Sequence, residues 1–204
     1  MKITKIESQK NNNRVNIYID GEFAFGLMAE IQYKYNLFEG MEIDTEYIEQ
    51  VLLEEEQAKA KDQALRFLSY RQRSEKEIID KLKKKGFSED TIENTLIYLK
   101  KYNLINDLEF AKSFANDKIN LNGFGPKRIK YELYKKGISH EIIQKVLEED
   151  KDNEYERALE LGKKKINSYK NDDKYAKYRK LGGFLQRKGY SYECTSKVLK
   201  ELVK

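Results

Sequence analysis

Tryptophan is absent from this chain of 204 residues, and cysteine, histidine and proline occur once each. A lone cysteine, Cys194, excludes an internal disulfide and any cysteine-rich zinc site. It sits five residues past Gly189, where matching positions elsewhere in the chain hold Thr91 and Ile142, so it reads as a small packing residue. The lone histidine, His140, follows Ser139 at the start of a helix and reads as a capping or exposed residue rather than a catalytic one. No Gly-rich phosphate loop lies between a strand and a helix, and no Gly-x-Ser-x-Gly occurs. Carboxylates are plentiful but fall in helix first turns or on mixed-charge faces, so no paired acid/base site is supported. No enzyme and no cofactor are expected. There is neither an apolar run of about 18 residues nor a signal-like start, which points to a soluble cytoplasmic protein without a membrane partner.

What is present is a stretch that occurs three times: Leu82-Lys-Lys-Lys-Gly86-Phe87-Ser88, Leu133-Tyr-Lys-Lys-Gly137-Ile138-Ser139 and Leu185-Gln-Arg-Lys-Gly189-Tyr190-Ser191. The glycines lie 51 and 52 residues apart. Matching apolar residues stand eight before each glycine (Ile78, Ile129, Leu181), and Thr95-Leu96, Val146-Leu147 and Val198-Leu199 follow it. A period of this length, helical on both sides, signals a stacked helical array.

Each copy reads as helix, two-residue corner, helix. The glycine ends one helix in the left-handed region, where it has no Cβ to clash, and the next residue folds back. Phe87 then meets Leu82, Ile138 meets Leu133 and Tyr190 meets Leu185. Lys and Arg residues before the glycine suit the negative end of the helix dipole. Ser88, Ser139 and Ser191 are N-cap candidates for the following helix, with Glu89-Asp90, Glu141 and Glu193 in its first turn.

In chain order, residues 1–27 read as β-structure. Ile3 and Ile6 open a strand, Asn11 to Asn13 form a turn, and Val15 to Ile19 alternate with period two. Asp20-Gly21 is a hairpin signal before Phe23 to Leu27. Helices over 28–36 and 45–57, with a turn at Gly40, are expected to cover the sheet. The boundary near residue 57 reads as a continuous helix rather than a linker. Repeat 1 spans 58–106, with Ser74 and Glu77 as a capping box. Repeat 2 spans 107–150, with Pro126 at the first position of its middle helix. Repeat 3 spans 151–204 and places Gly182-Gly183 inside its middle helix, marking either close packing or a kink. The expected fold is mainly α: tandem three-helix-bundle repeats, nine helices in all, forming an elongated curved array. A small β-hairpin-containing α+β head over 1–57 precedes them.

The net charge of +5 conceals a polarity. Residues 1–57 hold 5 Lys/Arg against 12 Asp/Glu, a net −7, which leaves +12 for residues 58–204. An acidic head on a basic body suggests an anionic partner for the body, nucleic acid first. The candidate contacts are Lys83, Lys84, Lys85, Lys135, Lys136, Arg187 and Lys188 before the three glycines. Lys127, Arg128 and Lys130 form a second group, and Lys177, Arg179 and Lys180 a third. Helix C-cap electrostatics and solubility account for about half of these positions. Arg71 and Arg73 precede a helix N-terminus, where cations are unfavourable, and are favoured for partner contacts. Tyr70, Tyr131 and Tyr178 are weaker candidates for base stacking.

The ordered motifs resemble those of a known family. Arg71-x-Arg73-Ser74-x-x-Glu77-Ile78-x-x-Lys81-Leu82 resembles the first-repeat signature of the RecX family of recombination regulators. Asp107-x-x-Phe110-Ala111, with Gly125-Pro126-x-Arg128-Ile129-x-x-Glu132-Leu133-x-x-Lys136-Gly137-Ile138, is similar to its second. Phe184-Leu185-x-Arg187-Lys188-Gly189-Tyr190-Ser191 is similar to its third. The likeness covers residues 58–204, and residues 1–57 are similar to heads found on RecX proteins of Gram-positive type. Gly182-Gly183 departs from the bulky residues usual there. The resemblance implies a non-enzymatic, monomeric modulator of the RecA recombinase. Such a protein binds along the groove of the RecA–DNA filament, inhibits ATP hydrolysis and strand exchange, and in some members binds single- or double-stranded DNA. A stand-alone DNA- or RNA-binding helical module is the alternative.

Overall fold

The computed structural model describes residues 1–10, 13–149 and 153–203. Most of the Asn11–Asn13 turn and the junction expected at 150/151 therefore lie outside the described residues. The chain divides into two compact units, one of residues 1–70 with 81–99, the other of residues 71–80 with 100–204.

In the first unit, three strands, β1 (Ile3–Ser8), β2 (Arg14–Ile19) and β3 (Glu22–Met28), form an antiparallel sheet in sequence order. Asp20 and Gly21 both take positive φ, 50° and 91°, as the tight hairpin between β2 and β3 requires. A register shift follows Ile17, which pairs with Phe25, while Tyr18 pairs with Phe23. Such a bulge re-aims the strand, and Phe23 stands outward, edge-on to Tyr18. Ile3, Val15, Ile17 and Leu27 make the buried face, covered by Ile31, Leu37, Ile43 and Val51. A segment not foreseen as extended runs beside β1: Ile3 donates to the Met41 carbonyl, Gly40 to Ile3 and Ile43 to Met1.

Helix α1 (Ala29–Lys34) is short, and α2 (Thr45–Leu68) runs 24 residues without a break at position 57. Asp44 caps α2 through the Tyr47 amide. The three consecutive acids in α2 serve different neighbours. Glu54 pairs with Lys34 of α1. Glu55, 2% exposed, accepts from the Met28 amide and pairs with Arg14 and Lys59. Glu56 accepts from the Ser88 amide and hydroxyl at 3.0 Å, and these bonds hold its carboxyl below the usual range. One helix thus ties the sheet on one side and the start of a repeat helix on the other.

Helices α3 (Glu75–Lys84) and α4 (Glu89–Lys101) complete the first set of three with α2. The second set is α5 (Asp107–Asn122), α6 (Pro126–Lys135) and α7 (His140–Glu148). The third is α8 (Glu154–Ile166), α9 (Lys174–Lys188) and α10 (Tyr192–Leu202), with a 3-10 turn at Asn167–Tyr169. Gly86, Gly137 and Gly189 all take left-handed φ, between 78° and 96°. Phe87, Ile138 and Tyr190 donate back to the carbonyls of Leu82, Leu133 and Leu185, the bond that closes a helix on a left-handed glycine. Ser88, Ser139 and Ser191 accept from the third amide of the next helix.

The second-set core gathers Phe110, Ala111, Ile129, Leu133, Ile138, Ile143 and Val146. The third gathers Ala158, Leu181, Leu185, Tyr190, Cys194, Val198 and Leu199. Helix α9 continues unbroken through its glycine pair, so the pair marks no kink, and Gly182 is the member in close packing. A Cβ on Gly182 would lie 3.1 Å from Leu199 Cδ1. Gly162 of α8, not singled out by its sequence context, approaches α10 still more closely, at 2.8 Å from Leu202.

Candidate interaction surface

Two joints within the second unit decide which cations face solvent. At the first, the start of α3 receives the corner after α6. The Ser74 hydroxyl donates to the Lys136 carbonyl at 2.7 Å and accepts from the Glu77 amide at 3.3 Å. Lys136 reaches the Glu77 carboxylate at 2.6 Å, and Arg71 donates to the same carboxylate from both terminal guanidinium nitrogens, Nη2 at 2.9 Å and Nη1 at 3.1 Å. The capping box is thus half built: Ser74 caps, while Glu77 turns to two cations. Asp107 supplies a further cap, accepting from the Glu75 amide at 2.8 Å. Burial opposes ionisation of Glu77, but the bonds and charges of Arg71 and Lys136 outweigh it and bring the carboxyl down to about 2. Burial pushes the Asp107 carboxyl upward.

At the second joint, the start of α6 receives the corner after α9. Gly125 donates to the Lys188 carbonyl at 2.8 Å and Lys127 to the Gly189 carbonyl at 3.0 Å. Lys188 extends to the Asn122 carbonyl at 2.6 Å and lies over the rings of Phe124 and Phe184. A Cβ on Gly125 would stand 2.7 Å from Gly189 backbone, so glycine is required there by space.

Of the fifteen cations singled out, Arg71, Lys136 and Lys188 therefore hold joints. Arg73 is partly buried beside Arg71, and burial followed by the Arg71 charge lowers its pKa from the ordinary value. Lys83 pairs with Glu89, and Lys180 with Asp172. Lys84, Lys85, Lys127, Lys130, Arg179 and Arg187 are exposed, and Lys177 is half-buried.

A cluster of cations with aromatic company stands on α6. Arg128 pairs with Glu132 and lies over the Phe124 and Tyr131 rings; Lys135 lies 4.5 Å from the Tyr131 centroid. A hydrogen bond with Tyr131 raises the pKa of Lys135. Lys127, Lys130, Tyr131 and Tyr134 recur at helical spacing on the exposed side, Tyr131 being 50% and Tyr134 74% exposed. This surface offers ammonium groups to phosphates or carboxylates and ring faces to bases or apolar side chains. Tyr70 and Tyr178 are exposed too, as are Tyr134, Tyr175 and Tyr192, which their spacing did not distinguish from core positions.

Nothing in the described residues gathers three or more His, Cys, Asp or Glu side chains that could hold a metal ion. Burial pushes the Cys194 thiol up to about 11, which leaves it protonated and unreactive near neutrality. No described helix is long and apolar enough to cross a membrane.

Comparison with known proteins agrees with this architecture along the whole chain. Residues 1–44 match the regulatory protein RecX N-terminal domain, and residues 60–99, 106–147 and 152–199 match the first, second and third RecX three-helix domains. Regulatory protein RecX of Clostridioides difficile (strain 630) is 42% identical over 203 residues, covering 98% of this chain and 95% of that protein. Regulatory protein RecX of Clostridium perfringens (strain 13 / Type A) is 42% identical over 205 residues, covering 98% and 96%. A crystal structure of regulatory protein RecX superimposes with a TM-score of 0.77 at 32% identity, covering 98% of both chains. That of RecX from Lactobacillus salivarius gives 0.67 at 34% identity, covering 72% of this chain and 96% of the other. On domain content, relatives and fold alike, this chain belongs to the RecX family of regulatory proteins.

Proposed function

We propose that the protein binds the RecA–DNA filament and restrains it, inhibiting ATP hydrolysis and strand exchange in recombination and repair in the cytoplasm. The observation that carries the reading is the exposed cation–tyrosine face of α6, with Lys127, Lys130, Tyr131, Tyr134 and Lys135, in a chain of the RecX family. Ammonium groups on such a face meet phosphates or acidic protein surface, and the rings add contact area at low entropic cost. The exposed Lys84, Lys85, Arg179 and Arg187 and the half-buried Lys177 offer further contacts of the same chemistry; the candidates in the joints act by holding helix starts against the glycine corners.

Direct DNA or RNA binding is the second reading, favoured by the exposed Tyr131 ring between cations. The test is single-stranded-DNA-dependent ATP hydrolysis by RecA of the same organism, with this protein titrated in. Inhibition at well below one copy per RecA, with RecA still on the DNA, is the expected result. Inhibition appearing only once the protein saturates the DNA would replace the filament reading with plain competition for nucleic acid.

A further inference from the structure

Within the third set of helices, the end of α8, the start of α9 and the end of α10 enclose a cavity of about 310 Å³. That is the small end of the range for ligand sites, about 300–1,000 Å³. Ile166, Leu202 and Val203 form its apolar wall, and its polar members are Asn167, Lys170, Lys174 and Lys177. Lys170 and Lys174 are exposed, and Lys177 is half-buried. No described acid lines the cavity. The neighbouring acids are engaged elsewhere. Lys180 donates to both oxygens of Asp172, Asp173 accepts from the Ala176 amide, and Glu201 accepts from the Tyr155 hydroxyl. None of the described ion pairs takes Lys170, Lys174 or Lys177.

Elsewhere in this chain helix starts carry the opposite charge. The first turns of α3, α4, α5, α7, α8 and α10 hold acids, as the positive end of a helix dipole favours. Helix α6 begins with Lys127 and Arg128, but the Lys127 amide sits on the Gly189 carbonyl. Helix α9 has no acid in its first turn, and Lys174 and Lys177 stand three apart there, on one side. The ends of α8 and α10 contribute about −0.5 charge each and the start of α9 about +0.5. Against three ammonium groups, that leaves more than about two positive charges uncompensated in a small space.

We propose that this cavity is a binding site for a phosphomonoester, the terminal phosphate of a nucleotide or of a nucleic-acid strand. Charge selects that group. A monoester carries about −1.5 to −2 near neutrality and answers the excess, whereas a carboxylate or a phosphodiester of a strand's backbone carries a single charge. Lysine ammoniums are compact point charges with three donors each, suited to phosphate oxygens. Asn167 adds an amide donor, and the wall of Ile166, Leu202 and Val203 gives the attached sugar an apolar surface. The site lies apart from the α6 face and goes beyond the filament reading, since it recognises a chemical group rather than a length of backbone.

Titration of the full chain with adenosine monophosphate and with adenosine, followed by NMR of the backbone amides, tests the proposal. The monophosphate is expected to bind with Kd below about 1 mM and to shift the amides of Asn167, Lys174, Lys177 and Val203, and adenosine is not. The double variant Lys174→Gln/Lys177→Gln is expected to bind it at least about tenfold more weakly, as loss of charge-assisted bonds requires. Its helical circular dichroism should be unchanged, because the first turn of α9 loses only repulsion; should it fall, Lys170→Gln, outside α8 and α9, decides in its place. Lys145→Gln removes the same charge from an exposed position on α7 and should leave the affinity as it was. A short oligothymidylate with a terminal phosphate then identifies the source. If it shifts these amides and the monophosphate does not, the ligand is a strand end; if both do, a free nucleotide is also taken. The proposal is overturned if adenosine binds as well as its monophosphate, or if a strand ending in a hydroxyl shifts the same amides equally. Native affinity in the variant overturns it too, as does no binding of monophosphate or phosphorylated strand. RecA is absent from these titrations, so their failure leaves the filament reading standing.

Discussion

Gly86, Gly137 and Gly189 share one local task and differ in their surroundings, which separates two costs that a sequence presents as one. All three need left-handed φ, worth about 1–2 kcal/mol against alanine. Gly86→Ala should lose only that, because its Cβ enters open space. Gly189→Ala should lose at least about 3 kcal/mol, since its Cβ would strike Arg128 backbone, which cannot step aside. Gly137→Ala should fall between, its obstacle being the Lys76 side chain. Urea midpoints of the three variants give the order directly.

Glu77 makes a second prediction at this scale. Its folded carboxyl is held at about 2, below the ordinary unfolded value of about 4.3. The depressed folded value means that its contribution is fully present above the unfolded value and is lost as pH falls from about 5 toward 2. Asp107 opposes it, because its raised folded value favours the protonated fold as acid is added. Urea stability measured between pH 7 and pH 2.5 should therefore fall more steeply for the native chain than for Glu77→Gln. At pH 7 that variant should be weaker by about 2 kcal/mol, the scale of a charge-assisted hydrogen bond.

At the scale of an element, α2 is the informative case. Its length makes the head and the first repeat share a helix, and Glu55 is the side chain that binds it to the sheet. Glu55→Ala would strip the Met28 amide of its acceptor and leave Arg14 and Lys59 without their common anion. A loss of about 3 kcal/mol is expected, as for other broken buried pairs. Faster hydrogen exchange should appear at the Met28 amide before it appears in α5 or α8. Helix α6 supplies the functional counterpart. Lys127→Glu with Lys130→Glu alters two exposed ammonium groups that hold no described partner, so circular dichroism and the urea midpoint should be unchanged. Inhibition of RecA ATP hydrolysis should weaken at least about tenfold if that face meets anionic surface, one lost contact being worth about 1.4 kcal/mol or more. Unchanged inhibition would move the contact away from α6.

For the whole molecule, the repeat, its corners, the serine caps after them and the family were legible in the residues alone. These are local matters: a left-handed turn needs glycine, a helix start needs a hydroxyl or carboxylate, and a period near 51 residues announces itself in the spelling. The hairpin at Asp20-Gly21 belongs with them, as does α2 running on past residue 57. Tertiary structure alone decided which cations are free. Lys85, Lys136 and Lys188 occupy the same place in three copies of one motif, yet Lys136 binds Glu77, Lys188 reaches the Asn122 carbonyl, and Lys85 stands in solvent. Arg71 likewise looked misplaced before a helix start, until Glu77 turned toward it. The meaning of Gly182 was open until Leu199 was seen against it. The physical reason is one of range. Backbone conformation follows from a few neighbours along the chain, whereas a charge or a missing Cβ acquires its role from residues as far as 66 positions away, brought within a few ångströms only by packing.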